Sequence, residues 1–232
     1  MQLFAHRGIS DLAPENSMAA FELALAHDAD GIELDVRLMS GRVVVMHDAS
    51  VDRTTNGMGL VTSLNALQWA QLDAGDGNPP PTLRQVLEFV AGRCEVNIEL
   101  KSDDLVPHVE AEISYAIAKL GFELGQFCVS AFDHRLLIPL KHSLPLLNIA
   151  PLIASCPVRL AFFAVDMNAQ ALHSHTETTG QALVDDAHAR GLKVRVYTVK
   201  EAQDLERLKR LGVDAVFVND VVWARSVLSS QA

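Results

Sequence analysis

Short β-branched and apolar runs alternate along this chain with longer stretches of helical periodicity. The runs are QLFAH (2–6), GIELDVRL (31–38), EVNIELK (95–101), FCVSAF (127–132), LLNIAP (146–151), LAFFAVDM (160–167), KVRVYTV (193–199) and AVFVND (215–220). Helix-like stretches lie between them at Ser17–His27, Thr82–Ala91, Leu105–Leu120, Gln181–Arg190 and Glu201–Leu211. Gly191 and Gly212 come just after the last two, where a helix C-terminus favours glycine. Strands alternating with helices predict right-handed βαβ units and a parallel sheet. Eight strands in 232 residues predict a closed (β/α)8 TIM barrel, which typically needs about 250. An open doubly wound sheet is the competing architecture, but no G-x-G-x-x-G comes after the first strand.

One segment breaks the alternation. LMSGRVV predicts a tight turn and a returning hairpin strand, and the stretch beyond it is rich in Thr, Asn, Gly and Asp before three prolines. It is too long for a neutral connector. The chain reads as one domain, 1–232, in which 43–81 is a hairpin and small insertion folded over one end of the barrel.

Alternation along the strands places the chemistry. In GIELDVRL, Ile32, Leu34 and Val36 share one face, and Glu33, Asp35 and Arg37 share the other. In EVNIELK, Ile98 and Leu100 point toward helices while Asn97, Glu99 and Lys101 point inward. Glu33 and Asp35 are about 7 Å apart along one face by strand rise, and burial together would raise their pKa values. A divalent cation removes that penalty. With Glu99 the set offers three hard oxygen ligands, suiting Mg²⁺ or Ca²⁺ better than zinc. The alternative pairs Glu33 with Arg37 or Glu99 with Lys101 as salt bridges.

His6 ends the first strand and His47 ends the hairpin strand, so two imidazoles converge with the acids, as a general acid and base require. Arg7 and Lys101 add fixed donors for an anionic oxygen. The combination points to phosphoryl chemistry. His173-Ser174-His175 has an H-x-H look but reads as a surface pair in a polar loop; His27, His108, His142 and His188 fall on helices or their ends, and His134 is a minor candidate. No G-x-S-x-G nucleophile elbow is present.

Composition narrows the class. Apolar residues make up 49% and charged residues 21%, enough for a large core. A net charge of −10 excludes a general nucleic-acid binder, which needs a basic face. Cys94, Cys128 and Cys156 lack metal-type spacing and read as buried thiols in a reducing compartment. The N-terminus carries no basic-then-apolar signal, and the apolar stretch near 144–165 is too interrupted for a membrane span, so a cytoplasmic location is expected. The sequence carries no signal that sets an oligomeric state.

Taken in order, AHRG, PENS, ELDV, VVMHD, DRTTNG, NIELK, VSAFD, VYTV and GVDAVFVND span nearly the whole chain. In this ordered set the sequence resembles the glycerophosphodiester phosphodiesterase family, most of all its short cytoplasmic bacterial members. The resemblance implies a (β/α)8 barrel with an insertion after the second strand. It implies that Glu33, Asp35 and Glu99 hold a divalent metal, that His6 and His47 are the acid–base pair, and that Arg7 and Lys101 contact phosphate. Glu15 and Asn16 would support the rim near metal and substrate, although helix entry also accounts for PEN. Tyr197 stands where the family commonly has Trp and Lys200 where Asn is usual; with Phe132 as another apolar wall, these bear on headgroup preference. The implied activity is metal-dependent hydrolysis of a small glycerophosphodiester to sn-glycerol 3-phosphate and an alcohol through a cyclic phosphate intermediate. The alternatives are a lysophospholipase D or phospholipase C-like activity on lipids, with 60–69 supplying part of an apolar track, and a non-catalytic phosphate-ligand-binding barrel.

Overall fold

The computed structural model describes residues 1–75 and 77–230. Among them, the strands are β1 (Gln2–His6), β2 (Gly31–Met39), β3 (Arg42–Val45), β4 (Glu95–Leu100), β5 (Phe127–Ala131), β6 (Asn148–Ile153), β7 (Ala171–His175), β8 (Lys193–Val199) and β9 (Ala215–Val218). All but β3 are parallel to their neighbours, in the order β1-β9-β8-β7-β6-β5-β4-β2, and pairing of β1 with β2 closes the ring. Eight parallel strands surrounded by helices form a TIM barrel.

The helices are α1 (Met18–Ala26), α2 (Ala66–Ala70), α3 (Leu83–Val90), α4 (Val106–Lys119), α5 (Leu137–Ser143), α6 (Phe162–Asp166), α7 (Gln181–Ala189), α8 (Ala202–Leu211) and α9 (Val221–Ser229). Ser17 and Thr82 cap α1 and α3 by accepting from Ala20 N and Gln85 N. Gly212, at φ 79°, ends α8 in the left-handed conformation. The main apolar core lies between barrel and helices and includes Ile32, Leu34, Val36 and Ile98, all fully buried. The alternate residues of β2 and β4 therefore enter the barrel.

Residues 160–167 differ from expectation: this apolar run is not a strand but contains α6. Ala161 and Ala164 are buried at helical spacing, and Phe163 packs on the core. The sixth barrel strand is β7 instead, and it carries the H-x-H motif. Nor are all three thiols buried, since Cys156 is exposed.

Ser40 and Gly41 both take positive φ at the turn into β3, as a two-residue hairpin loop of the I′ type requires. Beyond it, the segment up to Pro81 packs around its own small core of Met39, Val44, Met46, Val51, Val61, Trp69 and Leu72. Trp69 Nε1 donates to the Pro80 carbonyl at 2.8 Å.

Candidate active site

A cleft of about 420 Å³ opens at the C-terminal ends of the barrel strands, lined among others by His6, Arg7, Glu15, His47, Glu99, Lys101, Phe132 and Tyr197. The register builds its floor. His6 lies beside Glu33, Glu33 beside Asn97, and Asp35 beside Glu99. Glu33, Asp35 and Glu99 are 3%, 1% and 8% exposed, and each offers an oxygen within 4.8 Å of the others. Three buried carboxylates so close repel one another unless a cation or proton intervenes.

Their protonation reflects that conflict. Burial, then Asp35 and Glu99, push the Glu33 carboxyl well above its ordinary value. Burial and Asp35 push Glu99 up to about 7. Burial also acts on Asp35, but Lys101 and Arg7 outweigh it and hold this carboxyl below the usual range. Arg7 Nε lies 3.1 Å from Asp35 Oδ2, and Lys101 Nζ lies 3.1 Å from Asp35 Oδ1 while also pairing with Glu99. The Glu99–Lys101 ion pair therefore exists alongside the acidic cluster. A Glu33–Arg37 pair does not: Arg37 donates to the His47 carbonyl at 3.0 and 2.7 Å and to the Lys101 carbonyl at 3.1 Å, tying the hairpin exit to the end of β4.

The donor set suits a hard divalent ion, being all carboxylate oxygen, buried and converging. Charge agrees. With all three ionised, the carboxylates against Arg7 and Lys101 leave one negative charge, which would repel a phosphodiester; a divalent ion makes it one positive charge, which complements the diester's own.

The backbone around Arg7 is shaped for this arrangement. Arg7 takes φ 59°, and its amide donates to Glu33 Oε2 at 3.0 Å. Gly8 comes next at φ 79°, where a Cβ would lie 2.6 Å from the Ala20 carbonyl carbon, so only glycine lets this loop rest on α1. Asn16, at φ 57° and 5% exposed, donates to Asp35 Oδ2 at 2.9 Å. The cap of α1 is Ser17, not Asn16, which leaves Asn16 free to hold Asp35.

Each cleft histidine has one nitrogen committed. His6 Nδ1 lies 3.0 Å from Asn219 Oδ1, and Asn219 Nδ2 donates to Asp11 Oδ1 at 3.1 Å. That second bond orients the amide, so Oδ1 faces His6; Nδ1 then carries the proton and Nε2 the lone pair. Burial, reinforced by Arg7, lowers the His6 pKa to about 4, leaving it neutral at pH 7. His47 Nδ1 lies 2.7 Å from Asp48 Oδ1. Arg53 grips Asp48 through Nε at 2.6 Å and reaches Glu15 through Nη1 and Nη2 at 2.9 and 2.7 Å. Glu15 in turn accepts from Arg7 Nη1 at 2.8 Å. Hydrogen bonding from Arg53 keeps the Asp48 carboxyl well below the ordinary range, so it remains an anion beside His47.

Phe132 and Tyr197 meet edge to face at 5.9 Å across the cleft wall, and Tyr197 Oη donates to the Ile153 carbonyl at 3.0 Å. Asp48, Arg53 and Asn219 are not singled out by the sequence reading, although VVMHD, DRTTNG and FVND contain them. The reading of His173 and His175 as surface residues is corrected. His173 is fully buried inside the barrel, and His175 lines the cleft against Tyr197, because β7 alternates like its neighbours and turns both rings inward. His134 does not line the cleft; its Nε2 lies 2.9 Å from the Leu152 carbonyl and its ring stacks on Phe163.

The profile described as the glycerophosphoryl diester phosphodiesterase family matches residues 6–222. A glycerophosphodiester phosphodiesterase of Caldanaerobacter subterraneus subsp. tengcongensis is 38% identical over 228 residues, covering 94% of this chain and 93% of its own. One from Bacillus altitudinis is 32% identical, covering 94% of each. Among solved structures, an Oleispira antarctica phosphodiesterase in complex with the product sn-glycerol-3-phosphate superposes with a TM-score of 0.89 at 27% identity, covering 99% of this chain and 97% of that one.

Proposed function

The chain belongs to the glycerophosphoryl diester phosphodiesterase family, and from that premise we propose that it hydrolyses glycerophosphodiesters to sn-glycerol 3-phosphate and an alcohol, with a divalent metal and the His6–His47 pair. The observation that carries this reading is the pairing of two histidines, each with Nδ1 committed, across a cleft floored by three buried carboxylates. Glu33, Asp35 and Glu99 would hold Mg²⁺ or Ca²⁺. When bound, such an ion supplies Lewis-acid polarisation of substrate oxygens.

The rest falls to side chains. His6, neutral at pH 7, takes the proton of the glycerol hydroxyl next to the diester on Nε2. That oxygen bonds to phosphorus, and the bond from phosphorus to the headgroup oxygen breaks. His47, held through Nδ1 by Asp48, gives a proton to the departing alkoxide. The cyclic phosphate is then opened by water with the two histidines exchanging roles, which restores both. Arg7 and Lys101 stabilise the charge that grows on the phosphorus oxygens; Arg7 Nη2 is the guanidinium nitrogen used in neither of its ion pairs.

The lipid alternative gains no support from the insertion. None of residues 60–69 lines the cleft, and Trp69 is buried in the insertion's own core. No helix among the described residues is long and apolar enough to cross a membrane.

The test is a panel of deacylated and acylated glycerophosphodiesters against Mg²⁺ and Ca²⁺, with a chelator control. Release of glycerol 3-phosphate from deacylated substrates, lost on chelation and lowered by about 10²–10⁴ in His6→Ala and His47→Ala, is expected. No release from any diester with either ion defeats the reading.

A further inference from the structure

Beneath the cleft lies a second, much smaller cavity of about 20 Å³. His6 and Glu99 line both spaces, whereas Glu33, Asn97 and His173 line only the lower one. β7 and β2 are separated by three strands in either direction around the ring, so His173 reaches toward Glu33 from the far side of the barrel. All three residues are at least nine-tenths buried, with exposures of 3% for Glu33, 1% for Asn97 and 0% for His173. Yet Glu33 Oε1, Asn97 Oδ1 and both ring nitrogens of His173 have no hydrogen-bond partner among the described residues. Buried polar atoms are rarely left so, and several around one cavity point to a shared partner.

We propose that His173 is a positioning residue: with Asn97 it holds one ordered water against Glu33, and so fixes a carboxylate of the metal centre. This rests on the reading of Glu33, Asp35 and Glu99 as metal ligands. The cavity has room for about one water and for nothing larger. A single molecule serves three of these four atoms. Asn97 Nδ2 already donates to Ser130 Oγ at 3.0 Å, so its Oδ1 can only accept, as can the Glu33 carboxylate. A water donates to both and accepts from the imidazole N–H. A carboxylate oxygen has two lone-pair directions, so accepting from the water does not prevent Glu33 from ligating an ion.

The surroundings of His173 select the form that can do this. Arg195, its register partner on β8, offers only donors, which suit a ring lone pair better than an N–H. Burial, with Arg195 adding to it, keeps the ring neutral. The His173 ring packs edge-on against Phe217 at 5.0 Å, which limits its rotation.

The experiment compares parent, His173→Leu and His173→Gln by Mg²⁺ titration calorimetry, with metal-free melting temperatures measured in parallel. Loss of such a supporting contact weakens metal binding by about 10- to 100-fold, the expectation for His173→Leu. His173→Gln, which retains a donor, should recover most of that loss, while neither variant lowers the metal-free melting temperature in proportion. Metal affinity in His173→Leu equal to the parent's, or glutamine as poor as leucine, overturns the proposal alone. A parent that binds no divalent ion overturns the metal reading and this proposal with it. Should the variants fold poorly, a high-resolution crystal structure of the parent decides: one water at about 3 Å from Glu33, Asn97 and His173 is expected, and a cavity without it overturns the inference.

Discussion

At the scale of single residues, the proposed base is defined by a side chain 213 positions away. Asn219 accepts from His6 Nδ1 because its own amide is held by Asp11, and this fixes which imidazole nitrogen is basic. Asn219→Ala removes the restraint and should lower kcat by about 10- to 100-fold, part of the ~10²–10⁴ that acid–base catalysis contributes. Asn219→Asp keeps an acceptor but adds an anion, which favours the imidazolium. The His6 pKa should then rise from about 4, and the acidic limb of kcat/KM should move to higher pH. A limb that stays in place in the aspartate variant would show that His6 does not set it. The sequence made His6, His47 and the three acids legible because strand alternation and motif order both point to them. It offered no such handle on Asn219: whether FVND supplies a catalytic partner or a helix cap depends on closure of the ring, and only Asp220 does the capping.

At the scale of elements, the loop after β1 depends on how closely it approaches α1. A Cβ at Gly8 would meet backbone and Cβ atoms of Ala20 at 2.6 Å, and the φ of 79° adds left-handed strain. Together these predict that Gly8→Ala costs about 2–4 kcal/mol and lowers the melting temperature by roughly 5–15 °C. Gly191 is the internal control. Its φ of 76° is similar, but nothing lies within 4 Å of an added Cβ, so Gly191→Ala should cost only about 1–2 kcal/mol. Equal losses in the two variants, read by thermal denaturation, would refute the packing argument. Element-level reading worked for β2 and β4, where apolar and charged positions alternate cleanly. It failed at 160–175 because periodicity cannot separate a short apolar helix from a strand, and because the polar H-x-H strand turns its histidines toward a polar barrel interior. An all-apolar run is what a buried strand leads one to expect; β7 places polarity inside instead.

At the scale of the whole molecule, the site holds its acids at a cost that varies with pH. Glu99 titrates near 7 in the fold against an ordinary 4.5, and Glu33 is shifted in the same direction. Over the interval between those two values the folded metal-free protein binds protons that the unfolded chain has released. Its stability from these groups is therefore present below about pH 4.5 and is lost as pH rises toward 7. Asp35, Asp48 and Glu15 are shifted downward, so their opposite contributions are complete by about pH 5, but His6 and His173 are lowered too and add stability as pH rises toward 6.5, so the carboxylate contribution is read as the difference between parent and Glu99→Gln. The metal-free melting temperature of Glu99→Gln, taken relative to the parent's, should thus rise between pH 5 and 7. A divalent ion replaces the protons. Metal affinity should rise over the same interval with net proton release, measurable by calorimetry in buffers of different ionisation enthalpy. Saturating Mg²⁺ at 100 times Kd should add about 2.7 kcal/mol at pH 7 and offset the loss. A difference between Glu99→Gln and parent that does not widen from pH 5 to 7, or ion binding without proton release near pH 6, would mean that the three carboxylates are held as salt-bridge partners of Arg7 and Lys101 and not as a metal centre.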